Sequence, residues 1–193
     1  MTDDILKTLP ARRGHFLLES GYHTSVWITL DALFVDGQRI APLVDALAAR
    51  LRPHGASAVC GPFTGGAFLA LLLGRAMNAR FFYTQPAATR ETGLFSATYA
   101  LTPELQRRMA GERVAVVDEM ISAGSSVRAT IAAVAAAGAA ITVVGALVVL
   151  GDAAVNHFAS VGVPLEALEH RTFPLWTPDE CPLCASGEPL ETP

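Results

Sequence analysis

The sequence is poor in cysteine, in basic clusters and in uninterrupted apolar runs. Three cysteines among 193 residues are too few for a disulfide framework and fit a reducing compartment. No apolar run reaches the roughly 18 residues of a membrane span, and the stretch 143–150 is long enough only for a buried strand. A net charge of −4, with adjacent arginines only at Arg12-Arg13 and Arg107-Arg108, excludes the basic stripe of a nucleic-acid binder. The opening Met-Thr-Asp-Asp-Ile-Leu-Lys lacks the apolar core of a signal peptide, so a cytoplasmic protein is expected. No Gly-Lys-Ser/Thr and no G-x-G-x-x-G marks its loops, so neither ATP hydrolysis nor a dinucleotide cofactor is indicated.

What is present is a core-rich chain, 51% hydrophobic and 17% charged, of a length suited to one domain. Its most informative stretch is Arg113-Val-Ala-Val-Val-Asp118-Glu119-Met-Ile-Ser122-Ala123-Gly124-Ser125-Ser126. The apolar residues 114–117 read as a buried parallel strand, and the Ala-rich segment 130–137 has helical periodicity. Between them, backbone N–H groups at a helix N-terminus make a phosphate site. Ser122, Ser125 and Ser126 add hydroxyl donors, and Gly124 allows a close approach of the backbone to the anion. Asp118 and Glu119 would repel that phosphate. They suit sugar hydroxyls or the surroundings of a magnesium ion. Together the segment describes a sugar phosphate.

Around it, strands are expected at 56–61, 80–83 and 141–150, and helices at 39–51 and 67–77. The alternation predicts an α/β fold with a central parallel sheet flanked by helices, whose ligands gather at the carboxyl ends of the strands. Gly61-Pro62-Phe63-Thr64-Gly65-Gly66 is a second small-residue turn at such an end. Residues 84–112 are polar and too long for a passive connection, which points to a mobile lid or binding loop.

The stretch 113–126 resembles the phosphoribosyl pyrophosphate (PRPP) motif of type I phosphoribosyltransferases: an apolar strand, two acids, two apolar residues and a hydroxyl-rich loop. Gly14-His15-Phe16-Leu17-Leu18-Glu19-Ser20-Gly21-Tyr22-His23-Thr24-Ser25 is similar to the amino-terminal signature of the orotate phosphoribosyltransferases, and Cys181-Pro-Leu-Cys184-Ala-Ser-Gly187-Glu-Pro189-Leu190 to the tail of one of their branches. The resemblance implies one domain over 1–193, with a small hood from about 10–35 and the C-terminal tail. It implies transfer of phosphoribose from PRPP to a nitrogenous base, orotate by default, with Mg2+ bound mainly through PRPP, and a homodimer. On this resemblance Ser122, Ala123, Gly124, Ser125 and Ser126 bind the 5′-phosphate, and Phe63, Thr64, Gly65 and Gly66 the pyrophosphate. Phe16, Leu17 and Ser20 take the base, and Asp118, Glu119 and Arg90 serve catalysis.

The chain departs from the family in three places. Tyr83-Thr84-Gln85-Pro86 stands where basic residues are expected, Arg90 is the only cation between Arg80 and Arg107, and Leu150-Gly151-Asp152-Ala153 has no arginine for the orotate carboxylate. A transferase for an uncharged base, and a non-catalytic relative that senses PRPP or a nucleotide, therefore stay open beside the orotate enzyme. Cys181 and Cys184 have the spacing of half a zinc site, with only Cys60 and scattered histidines, His170 foremost, as further ligands; no metal is expected there. His15 and His23 are open to base contact or packing. His54, His157 and His170 read as structural or exposed, and Trp27 and Trp176 as packing residues.

Overall fold

The computed structural model describes residues 10–88 and 93–192. Eight strands and seven helices are seen among them: β1 (Ala11–Leu17), β2 (His23–Ile28), α1 (Asp31–Phe34), α2 (Gly37–Leu51), β3 (Ala58–Pro62), α3 (Gly65–Met77), β4 (Arg80–Ala87), β5 (Thr98–Ala100), α4 (Pro103–Met109), β6 (Arg113–Ile121), α5 (Ser125–Ala136), β7 (Ala140–Leu150), α6 (Ala153–Ser160), β8 (Leu165–Arg171) and α7 (Pro182–Ala185). β5-β4-β3-β6-β7-β8 form one sheet and β1-β2 a separate hairpin. All pairings in the large sheet are parallel except that of the edge strand β5 with β4. This is the expected parallel α/β architecture.

Alternation along the central strands builds a core on each face. Ala115 and Val117 of β6 join Leu43, Leu47, Leu69 and Leu73 beneath α2 and α3. Val114 and Val116 turn the other way, toward Met109, Val127, Val134 and Phe158 from α4, α5 and α6. A strand buried on both faces reads as a continuous apolar run, as 114–117 does.

The strand order places the site. From β3 the chain moves outward to β4, and from β6 it moves the opposite way, to β7 and β8. The switch therefore lies between β3 and β6, where parallel sheets open a crevice at their carboxyl ends. Both candidate loops, 63–66 and 122–126, begin there.

The structure corrects several boundaries. α2 starts at Gly37 because the Asp36 carboxylate accepts from the backbone N–H groups of Gln38 (2.9 Å) and Arg39 (3.3 Å). α3 starts at Gly65 rather than 67, which leaves only Phe63 and Thr64 between it and β3. α5 starts at Ser125 rather than 130. β6 runs on through the acidic pair, and its pairing with β7 continues to Ile121 opposite Val149.

The expectation of one long lid over 84–112 fails for most of that stretch. β4 continues to Ala87, β5 pairs back onto it, and α4 follows. α4 has a local cause: Thr102 caps it by accepting from Leu105 N–H (3.4 Å), Pro103 occupies its first turn, and Glu104 pairs with Arg107 and Arg108. Arg90 lies outside the described residues.

Candidate active site at the β3–β6 crevice

The crevice encloses a cavity of about 310 Å³, at the lower end of the range for small-molecule sites. Its floor comes from Pro62, Phe63, Thr64 and Gly65 after β3, and from Asp118 to Ser122 and Gly124 to Ser126 at the end of β6. Leu18, Glu19, Ser20 and Trp27 of the hood form the roof, and Tyr99 of β5 closes one side.

The two loops fit together through glycine. A Cβ on Gly61 would overlap the Gly66 carbonyl, a Cβ on Gly65 would overlap the Glu119 carboxylate, and one on Gly66 would lie 2.7 Å from Asp118 Oδ1. Absent side chains therefore let both carboxylates sit against the N-terminus of α3, where the helix dipole favours negative charge. The Phe63–Thr64 peptide is cis.

Asp118 is buried, and Ser126 Oγ (2.9 Å) and its neighbour's backbone N–H (3.1 Å) both donate to its carboxylate. Burial first, and then the adjacent Glu119 charge, hold the Asp118 carboxyl well above the usual carboxylate range. Glu119 Oε2 and Ser125 Oγ are buried and lack a hydrogen-bond partner; they are the two such side-chain atoms among the described residues. Both residues line one cavity. Unpaired buried polar groups cost about 1–3 kcal/mol each, so a cavity whose lining residues keep an acceptor and a donor unsatisfied suits a ligand that offers both. Hydroxyls suit the carboxylate, and an anion suits the serine.

Sequence reasoning placed 122–126 and 63–66 in one crevice, and the structure brings them together. It assigns two of the residues differently in detail. Ser126 directs its hydroxyl to Asp118, leaving its backbone for an anion. Gly124, at φ +81°, is needed for its conformation: a Cβ there would meet Ala154, Ile121 and Phe158 at 3.6–3.7 Å, on the core side. Gly124→Ala should therefore cost about 1–2 kcal/mol of stability, measured by urea unfolding. A variant as stable as the natural protein would contradict that reading.

The hood differs more. Ser20 lines the cavity, but Phe16 is fully enclosed against Trp27 (ring centroids 6.1 Å apart) and Leu17 faces a neighbouring cavity. β1 ends at Leu17, so the turn beyond it, Leu18 to Ser20, is what reaches over the crevice. Trp27 is a wall residue as well as a packing one. Tyr99 was missed altogether. It donates to Glu19 Oε1 (2.7 Å), and burial, then Glu19, push its phenol above the ordinary range, so it stays protonated. A tyrosine in the middle of a three-residue edge strand carries no sequence signal of that role.

Three carboxylates, Glu19, Asp118 and Glu119, and no lysine or arginine line the cavity among the described residues. The oxygens present therefore suit a divalent cation carried in with an anionic ligand.

No protein-family model matches the chain. The chain is 32% identical over 196 aligned positions to the orotate phosphoribosyltransferase of Thermotoga maritima, covering 100% of this chain and 97% of that protein. It is 33% identical over 193 positions to the orotate phosphoribosyltransferase of Desulforamulus reducens, covering 99% and 93%. The crystal structure of orotate phosphoribosyltransferase from Aeropyrum pernix superposes with a TM-score of 0.67 at 26% identity, over 88% of this chain and 93% of that one.

Proposed function

Because the chain belongs to the orotate phosphoribosyltransferase family, we propose that it transfers the phosphoribosyl group of PRPP to a pyrimidine base, orotate by default. The C1′–oxygen bond to pyrophosphate breaks, and the leaving group keeps the electron pair. The base nitrogen forms the new bond to C1′ and gives its proton to solvent. The product is a nucleoside 5′-monophosphate, as pyrimidine synthesis requires.

The observation that carries this reading is that Glu119 Oε2 and Ser125 Oγ, the unsatisfied buried side-chain atoms among the described residues, belong to residues that line the same switch-point crevice. Residues 122–126 cradle the 5′-phosphate through backbone N–H groups and the Ser125 hydroxyl. Asp118 and Glu119 accept from the ribose hydroxyls and stabilise the positive charge that builds on the ring as its bond to pyrophosphate breaks. Residues 63–66 take the pyrophosphate at the N-terminus of α3. The base lies under Leu18, Glu19 and Ser20, against Trp27. Asp118 and Glu119 are the residues that would stand near a Mg2+ ion carried in with PRPP, and such an ion would supply charge neutralisation for the departing pyrophosphate. Arg90, which falls between β4 and β5 in the sequence, adds a cation, so Arg90→Ala should lower kcat more than it weakens PRPP binding; equal losses in both would remove it from catalysis.

A homodimer and a cytoplasmic location belong to the same proposal. Val35, Phe63, Phe68 and Leu71 are exposed, and the rings of Phe34, Phe63 and Phe68 adjoin at 5.8–6.3 Å, an apolar patch beside the pyrophosphate loop that suits a second subunit. No described helix is long and apolar enough to cross a membrane.

The test is turnover with Mg2+ and PRPP over orotate, uracil and the purine bases, with PRPP binding measured in parallel. Orotidine 5′-monophosphate is the expected product. Preference for uracil would move the substrate to an uncharged base, in keeping with Glu19 in the roof. PRPP binding without turnover on any base would overturn the catalytic reading.

A further inference from the structure

The hood contains a cluster that the transfer reaction does not use. His15 of β1, His23 of β2, Cys181 just before α7 and Cys184 within it bring one ligand atom each to a common point, all within 4.8 Å of one another. His15 Nε2 lies 3.0 Å from His23 Nδ1, 3.4 Å from Cys181 Sγ and 3.7 Å from Cys184 Sγ, and Cys184 Sγ lies 3.3 Å from His23 Nδ1. Zinc bonds of about 2.0–2.3 Å in a tetrahedron place ligand atoms roughly 3.3–3.8 Å apart. The four distances, 3.0–3.7 Å, are close to those edges.

Its surroundings supply the chemistry too. His15 Nδ1 lies 2.8 Å from the Glu188 carbonyl, which only accepts. The ring proton therefore sits on Nδ1, and the Nε2 lone pair faces the cysteines. A backbone carbonyl that fixes the tautomer of a ligating imidazole is the usual outer support of a zinc site. Cys181, His15 and His23 are buried and the Cys184 side is open, which gives an ion a route in. The other sulfur and the other histidine that the sequence offered do not take part. Cys60 is buried in β3, where burial raises its thiol to about 12, and His170 faces the Gly151 carbonyl (2.8 Å).

We propose that His15, His23, Cys181 and Cys184 hold a structural zinc ion that clamps the C-terminal tail to the hood. Both thiols release their protons to solvent on binding, and nothing is oxidised or reduced. The clamp has an evident use. The turn that roofs the crevice, Leu18 to Ser20, is strung between the two histidine ligands. A lone two-stranded hairpin such as β1-β2 is marginal in water. The tail already touches it through Leu17 N–H to Glu191 O (2.9 Å) and His23 N–H to Trp176 O (2.8 Å), and a metal would lock that contact.

Protein isolated under reducing conditions, without added metal, should carry zinc in equimolar amount. Cobalt(II) exchanged into it should show the intense visible bands and thiolate charge transfer of a tetrahedral site. Cys184→Ser, at an exposed position where little packing is lost, should weaken zinc retention at least about tenfold, and His170→Ala should leave it unchanged. Because zinc content is read without turnover, the result stands apart from the fate of the transferase reading. Folded natural protein that holds no zinc and gives no cobalt spectrum would overturn the proposal, as would a Cys181–Cys184 disulfide in the protein as isolated.

Discussion

Asp118→Asn is expected to make the unliganded protein more stable at neutral and alkaline pH while lowering kcat on the order of 10²–10³. The two effects share one cause. Asp118 is buried beside Glu119 and its carboxyl titrates well above the usual range. A carboxyl raised on folding contributes stability that is whole below its unfolded value of about 4 and is lost as pH rises through its folded value. The natural protein without ligand should thus weaken from about pH 4 upward on account of this group, and the asparagine variant should lack that component. The single asparagine oxygen can still accept from the Glu119 N–H, and the amide NH2 in place of Oδ2 can donate to Ser126 Oγ instead of accepting from it, so the local hydrogen bonds survive in part. Urea midpoints across pH, beside steady-state kinetics, check both halves. A variant less stable than the natural protein at every pH would mean that the Asp118 charge serves the fold rather than a ligand.

Gly65→Ala should lower kcat/KM on the order of 10²-fold with the fold intact. Alanine suits the first turn of α3 better than glycine, so the helix has no objection. The new methyl overlaps the Glu119 carboxylate, however, and the carboxylate must move. Displacing a catalytic group by about 1 Å is enough for a loss of that size. Gly37→Ala is the matched control: it also opens a helix, but its Cβ would meet nothing within 4 Å. Circular dichroism and kinetics on the pair decide the matter. Equal activity in both variants would show that Glu119 has no fixed position to lose.

The sheet and the position of the 122–126 turn at its carboxyl edge were legible because each rested on a local signal. Residues 113–126 carry the strand, the acids and the hydroxyl-rich turn in one uninterrupted segment. The 63–66 loop was legible as glycine, though not the reason for it, since Gly65 answers to Glu119 on another strand. α4 was legible in principle from Thr102-Pro103-Glu104, but its cap lay within a stretch judged by length and polarity. The roof could not be read residue by residue. Phe16 matches the family signature yet faces inward, because which of two successive residues points at a ligand depends on where β1 ends and on its irregular register between Arg13 and Phe16. The four ligands of the hood cluster were all visible as residue types. Nothing local pairs 15 and 23 with 181 and 184, and His170, nearer in sequence, was the more natural partner.

That joining of distant segments sets the order in which the molecule comes together and apart. His15 and Glu188 are 173 positions apart, whereas β6 meets β7 through a single short crossover. Closing the longer loop costs more entropy and returns a small hairpin instead of a packed core. The sheet with its two loops should therefore assemble first, with the crevice still uncovered, and in metal-free protein the hood should be the first part to open in the native state. In hydrogen exchange the amides of Leu17, His23 and Trp176 should trade protons together, well before those of Val116 and Val144 in the sheet. The part expected to open first in metal-free protein is then the part that stands over the cleft, so removing the metal would also loosen the cover of the crevice.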